Sequence, residues 1–310
     1  MAKIADLAGS RARVLAGGPR KGIILGSGFN ARETLIEHLP KDWENKQHFF
    51  KEFGINTPPV EGHANSFVLS EWDGVPVVIS RGRIHLYQLL ATGLFHELRL
   101  WLGTFIALMS GGTDVIATNA VGSLTHDLPE GSLAVPSKLF SLFMPSAYYL
   151  DGTANEFVSA GSMLPSQHIT AARVSIAAQE QGLKLDLIGA KYAAVVGPAY
   201  EDRGDIEFLQ SQGVHTVGMS LTPELGLFAV ENKLRKELAQ KVAQGDRLVG
   251  VDHRFTNPIR VLPLNFVTND ETDPRPEGEL LVHGSGVMGV AAKHREQLGN
   301  FLSKLITSEW

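Results

Sequence analysis

The apolar positions of this chain gather into short unbroken runs. They stand at 22–25 (GIIL), 75–80 (VPVVIS), 114–118 (DVIAT), 132–135 (SLAV), 192–196 (YAAVV), 214–219 (VHTVGM) and 260–267 (RVLPLNFV). Continuous runs of this length predict strands covered on both faces, since a half-solvated strand would alternate. Between them, apolar residues recur at helical spacing over 31–39, 90–109, 166–181, 203–212, 222–243 and 285–306. In the last of these, Lys293, Arg295, Glu296 and Lys304 interleave with the apolar stripe. Strands alternating with helices predict an α/β fold. Residues 1–18 read as an amphipathic helical extension outside the sheet. No repeat, low-complexity stretch or linker interrupts the pattern, so one domain over 1–310 is expected.

Composition narrows the function classes. A chain of 310 residues can bury a substantial core. A net charge of −5 with no basic block argues against a nucleic-acid partner. The absence of cysteine excludes disulfides, thiolate zinc sites and a cysteine nucleophile, and fits a cytoplasmic protein. No apolar run is long enough for a membrane span, and the N-terminus lacks the apolar core of a secretory signal. His126, His168, His215, His253 and His294 show no paired spacing with carboxylates, so no metal site is expected.

The candidate chemistry sits where the apolar runs end, and strand ends of open α/β sheets are where ligands bind. Gly26, Ser27 and Gly28 separate a strand from a helix, where backbone N–H groups and a hydroxyl can meet an anion. An ordinary tight turn is the plainer reading. The motif lacks the third glycine of a dinucleotide fingerprint and the Lys-Ser/Thr of a P-loop. Alternation after the second strand puts Arg83, His85 and Tyr87 on one face. His63 lies in a Pro/Gly-rich loop, and Ala120 and Gly122 follow a strand as small residues permitting close backbone approach. The stretch 192–224 breaks at Gly197-Pro198, sets Tyr200 and Glu201 at a strand mouth, and returns Gly218, Met219 and Ser220 nearby. Ser220 has no nucleophile-elbow pattern around it and reads as a ligand.

That stretch resembles the signature of the trimeric purine nucleoside phosphorylases, a family that splits nucleosides with inorganic phosphate. Four further segments resemble the family in the same order: IILGSGFN at 23–30, Gly62-His63 with Arg83-Ile84-His85-Leu86-Tyr87, TNAVG at 118–122, and Val267-Thr268-Asn269 followed by His283. The resemblance implies a central mixed β-sheet, partly barrel-like, flanked by helices, and a homotrimer. It implies phosphate binding by Ser27, His63, Arg83, Ala120 and Ser220. Nucleoside contacts would come from Tyr87, Val121, Gly122, Tyr200, Glu201, Gly218, Met219, Thr268, Asn269 and His283, with His283 on the 5′-hydroxyl. Glu201, Asn269 and His85 would be the catalytic set. Orthophosphate would be a co-substrate, with no cofactor, in the phosphorolysis of 6-oxopurine ribonucleosides or deoxyribonucleosides.

The chain departs from the family pattern at several points. Gln88 replaces a glutamate that orients the histidine at 85, Tyr200 replaces a phenylalanine, and Ser123 a second glycine. Ser132 stands at an acidic position, in a segment without the family's usual histidine. The segment 140–161 is altered, and 233–258 reads as an insertion. Two other readings stay in view. A 5′-methylthioadenosine phosphorylase would carry Asp at the position of Asn269, and His283 also favours a free 5′-hydroxyl. A non-catalytic nucleoside-binding protein would have little need of Arg83, His63 and Ser220 together.

Overall fold

The computed structural model describes residues 15, 17–27, 29, 35, 37–142, 144–145, 158–165, 169–244, 253–272 and 288–308. Nine strands among them form one sheet: β1 (Lys21–Leu25), β2 (Gln47–Phe49), β3 (Ser66–Trp72), β4 (Val75–Arg81), β5 (Asp114–Ser123), β6 (Leu133–Phe140), β7 (Leu185–Ala194), β8 (Thr216–Gly218) and β9 (Arg260–Asp270). Their order is β2-β3-β4-β1-β5-β8-β7-β6-β9, and β9 also pairs with β5. The second pairing closes five strands into a barrel-like unit from which the other four extend. The mixed, partly barrel-like sheet flanked by helices is therefore observed.

The helices are α1 (Leu86–Thr92), α2 (His96–Leu108), α3 (Ile169–Glu180), α4 (Arg203–Ser211), α5 (Thr222–Ala243), α6 (Met288–Lys293) and α7 (Arg295–Thr307). Neighbouring strand residues bury on opposite faces. Ile24 and Val78 join Trp101 and Phe105 of α2 and Leu225 and Phe228 of α5 in one core cluster. Ile23, Val77 and Ile79 join Val174 and Ala178 of α3 and Leu298, Phe301 and Leu305 of α7 in another. Coverage on both faces is why these strands read as unbroken apolar runs. None of the described helices is long and apolar enough to cross a membrane.

Several boundaries differ from expectation for identifiable reasons. The helix expected over 90–109 is two helices. Gly93 ends α1 in the left-handed region at φ 71°, with its N–H on Leu89 O at 2.8 Å, a glycine C-cap. The helix expected over 285–306 is likewise broken, at His294 (φ −107°, ψ 9°). The TNAVG loop is not a loop: Asn119, Ala120 and Gly122 lie inside β5, which runs on to Ser123 because β8 and β9 pair with its far end. β2 and β3 were not anticipated. The extension 1–14, most of the helix over 31–39, and 245–252 of the insertion lie outside the described residues. Residues 233–243 of the insertion continue α5.

β1 and β5 run parallel and approach closely where the first glycine loop begins. Gly26 N–H donates to Thr118 Oγ1 at 3.1 Å, and Thr118 Oγ1 donates to Ile24 O at 3.2 Å. A Cβ on Gly26 would lie 2.7 Å from Thr118 O and 3.0 Å from Asn119 Cα, both backbone atoms that cannot rotate away. Gly26→Ala is therefore expected to cost about 1–3 kcal/mol of stability. The urea midpoint at constant slope measures it, and an unchanged midpoint would show that the two strands can part.

Candidate active site

One cavity of about 280 Å³ opens where these strands end. Its lining contains Ser27, His63, Arg83, His85, Tyr87, Ala120, Val121, Gly122, Tyr200, Glu201, Gly218, Met219, Ser220, Thr268 and Asn269, together with Asn119. The expected site residues thus line one cavity, apart from His283, which lies outside the described residues along with Gly28.

Arg83 is buried, 1% exposed. Its Nη1 donates to Ser220 Oγ at 2.7 Å, its Nη2 donates to Thr118 O, and its Nε faces Glu224 Oε1 at 3.5 Å. The hydrogen bonds engage Nη1 and Nη2, whereas Nε and the Glu224 carboxylate have no hydrogen-bond partner among the described residues and meet as charges. Burial lowers the Arg83 pKa, and the Glu224 charge opposes that shift. Burial likewise raises the Glu224 pKa, against the pull of Arg83. Burial therefore pushes each partner toward its neutral form, and the attraction between the two resists it.

The histidine and hydroxyl groups complete a donor set. Arg83 N–H donates to His63 Nδ1 at 3.4 Å, so His63 carries its proton on Nε2 and donates it to Ser27 Oγ at 3.2 Å. Ser27 and Ser220 each accept from a nitrogen donor, which leaves each hydroxyl proton to point elsewhere. Two hydroxyls that can donate, beside a buried guanidinium, form a surface suited to an anion. The backbone places Ser220 there by an unusual turn. Thr222 N–H bonds Ser220 O at 2.8 Å around Leu221, whose φ of 71° and ψ of −53° define the rare, strained form of γ-turn. Tyr192 holds the same carbonyl, its hydroxyl donating to Ser220 O at 2.7 Å, and burial raises the pKa of that phenol.

Arg83, His85 and Tyr87 do face the cavity together, but not as alternating strand residues. β4 stops at Arg81, and His85 is the N-cap of α1, so Tyr87 stands in the first helical turn. The rings of His63, His85 and Tyr87 stack in series, with centroids 5.2 and 5.1 Å apart. Burial, and less strongly the Tyr200 phenol, raise the Tyr87 pKa to about 12. Gln88 Oε1 accepts from His85 N at 2.7 Å and lies 3.3 Å from His85 Nδ1, while its Nε2 donates to Pro58 O. A glutamate could not make that last bond, which accounts for the glutamine locally.

Tyr200 and Glu201 follow the cis peptide Gly197-Pro198 and stand just ahead of Asp202, the N-cap of α4. Thr268 and Asn269 occupy the end of β9, where the register against β5 shifts by one residue: Val121 faces Val267, but Gly122 faces Asn269. Such bulges re-aim side chains beside functional sites. Thr268 Oγ1 donates to Asn269 Oδ1 at 3.0 Å. Ser132 takes no part in the cavity. It is buried at the foot of β6, and its carbonyl accepts from Val267 N at 2.9 Å.

Sequence reasoning missed two groups. Glu224 reads only as a first-turn helix carboxylate, favoured there by the helix dipole. Asn119 has no assigned role in the TNAVG segment, yet its amide is 1% exposed, lines the cavity, and neither its oxygen nor its nitrogen has a hydrogen-bond partner among the described residues. A buried orphan amide costs free energy unless a ligand satisfies it.

The family model of the phosphorylase superfamily matches residues 20–229. The chain is 30% identical over 210 residues to purine nucleoside phosphorylase 1 of Bacillus subtilis, covering 67% of this chain and 72% of that one. It is 28% identical over 218 residues to S-methyl-5′-thioadenosine phosphorylase of Geobacter sulfurreducens, covering 66% of each. The structure of isoform 2 of purine nucleoside phosphorylase from Schistosoma mansoni, in complex with cytosine and ribose-1-phosphate, superposes with a TM-score of 0.71 at 20% identity, covering 98% of this chain and 95% of that one. The chain belongs to the phosphorylase superfamily.

Removing Glu224 should expose the cost of a buried cation without its counter-charge. Glu224→Ala is expected to lose roughly 3–5 kcal/mol of stability, as for breaking a buried ion pair. Urea unfolding in phosphate-free buffer reads this loss, and a variant as stable as wild type would show that Arg83 does not depend on its partner.

Proposed function

We propose that this protein is a purine nucleoside phosphorylase, cleaving 6-oxopurine ribonucleosides and deoxyribonucleosides reversibly with orthophosphate to free purine and pentose 1-phosphate. The observation that carries the reading is one cavity lined by two separate sets of groups. One is the linked network Ser27–His63–Arg83–Ser220, suited to an anion. The other is Glu201 with Asn269, a carboxylate and an amide suited to a purine edge. Similarity to curated purine nucleoside phosphorylases supports it.

In this reading phosphate sits against Ser27, His63, Arg83, Ala120 and Ser220, below C1′ of the sugar. Tyr87 and Met219 pack on the ribose, and Tyr200 offers an aromatic face to the base. As the glycosidic bond stretches, the phosphate dianion stabilises the oxocarbenium-like sugar. Glu201 accepts from the purine N1–H. Asn269 donates to O6, and its oxygen accepts a hydrogen bond from N7–H as N7 takes up a proton from solvent, so the base departs as the neutral purine. His85 supports the phosphate through its stack with His63, and His283 takes the 5′-hydroxyl. No covalent intermediate is required. The family resemblance extends the proposal to a cytoplasmic, one-domain subunit within a homotrimer whose sites lie near subunit boundaries.

Inosine consumption with and without phosphate tests the reaction. Wild type should turn over only with phosphate, and turnover without it would overturn the reading. Arg83→Ala should lose about 2–5 kcal/mol of transition-state stabilisation, which is roughly 30-fold to a few thousand-fold in kcat/KM for phosphate. A variant with wild-type phosphate dependence would remove Arg83 from the site. Light scattering should give the mass of three chains, and a stable, active monomer would end the trimer proposal. The S-methyl-5′-thioadenosine phosphorylase relatives give an adenosine-type reading its support. An inosine to adenosine kcat/KM ratio below one would put that reading first.

A further inference from the structure

An asparagine amide can face a purine in two senses. With its N–H toward the 6-position and its oxygen toward N7–H, it suits a 6-oxopurine leaving group. Turned over, it accepts from a 6-amino group and donates to N7. Rotation about the last side-chain bond interconverts the two, so the neighbours behind the amide decide which one the base meets.

Those neighbours are visible here. Asn269 Oδ1 accepts from Thr268 Oγ1 at 3.0 Å, and Asn269 Nδ2 donates to Glu271 Oε1 at 2.5 Å. Glu271 is 2% exposed and stands behind Asn269, outside the cavity lining. Its backbone N–H bonds Ser123 O at 2.8 Å, which ties it to β5. The pair packs hard against that strand: a Cβ on Gly122 would lie 3.0 Å from Asn269 Nδ2 and 3.1 Å from Glu271 Cγ. The two neighbours are not equivalent. A threonine hydroxyl both donates and accepts, so it satisfies either end of an amide, whereas an ionised carboxylate only accepts. Only Glu271 distinguishes the nitrogen from the oxygen. The adjacent Asp270 has no such role. It is exposed, and its carboxylate accepts from Thr272 N at 2.8 Å and from the Thr272 hydroxyl.

We propose that Glu271 is a positioning residue that sets the choice between 6-oxo and 6-amino purines by fixing the sense of the Asn269 amide. The inference rests on the purine reading above and adds to it a group that touches no substrate. With Glu271 in place, Asn269 keeps one N–H and one acceptor lone pair for the base, in a fixed order.

The test compares wild type with Glu271→Gln, whose side-chain amide can accept from or donate to Asn269 and so tolerates both senses. Two readouts are used: the inosine to adenosine ratio of kcat/KM, and the hypoxanthine to adenine ratio of Kd by calorimetry with phosphate present. Glu271→Gln should cut the preference for the 6-oxo ligand by roughly tenfold in both, the scale of one mismatched buried hydrogen bond. The KM for phosphate should stay within about twofold, which a general loosening of the site would not allow. In an Asn269→Ala background the same substitution should leave the ratio unchanged, because the two residues act as one unit. An unchanged preference in Glu271→Gln, or an equal shift in the Asn269→Ala background, overturns the proposal. Should Glu271→Gln fail to fold, Glu271→Asp replaces it; drawing the acceptor back by one methylene should weaken the preference severalfold, and an unchanged ratio again overturns it. A wild type that cleaves neither nucleoside would sink the proposed reaction, while the Kd ratio for the free bases would still decide the role of Glu271.

Discussion

A cation held out of water organises this molecule. Burying a guanidinium carries a desolvation penalty of several kcal/mol unless its charge and donors find partners. Arg83 finds them in three different elements: Glu224 in the first turn of α5, Ser220 in the turn before that helix, and Thr118 O in β5. Satisfying one side chain therefore fixes the end of β4, the middle of β5 and the start of α5 relative to one another. The strained γ-turn at Leu221 belongs to the same arrangement. Its φ of 71° is held by complete burial of the leucine and by the Tyr192 hydroxyl on Ser220 O. The strain thus lies next to one of the two hydroxyls that can donate to an anion, where functional sites commonly store it.

The location of the cavity follows from topology. β1, β4, β5 and β9 run parallel, and their carboxyl ends deliver Ser27, Arg83, Ala120 and Asn269 to one edge. β7 and β8 run parallel to each other, and β8 meets β5 antiparallel at Gly122 and Ser123, which brings Glu201, Met219 and Ser220 to the same place. The barrel-like closure between β5 and β9 makes the two sets converge. An open sheet of the same strands would spread them along an edge.

The sequence made legible what depends on local pattern. Runs such as 114–118 and 260–267 announced buried strands, and the residues at their ends were the ones that line the cavity. Pattern failed where tertiary pairing overrode local chemistry. Asn119 and Gly122 look like turn residues, yet pairing with β8 and β9 keeps them in a strand. Gly93 and His294 split helices that periodicity had run together. Glu224 was invisible as a functional group because its partner is 141 positions away in the chain, and nothing in a helix-start carboxylate names the cation it will meet. Glu271 stood in view beside Asn269 but could not be told from Asp270 without knowing which of the two is buried.

The one-residue slip between β5 and β9 decides which face each later residue of β9 presents. Side-chain facing in a strand has a period of two, so the extra residue at Thr268 reverses the facing of everything after it. Substitution at Asn269 alters that residue's own contacts, to Thr268, Glu271 and the cavity. A straight ladder over the same residues would set Thr268 opposite Gly122 and Asn269 opposite Ser123, and would turn Glu271 from its packed position behind the amide toward the exposed face that Asp270 occupies. This short segment can therefore vary in composition with local effect. Its register is a different matter, since it sets which atoms the cavity presents.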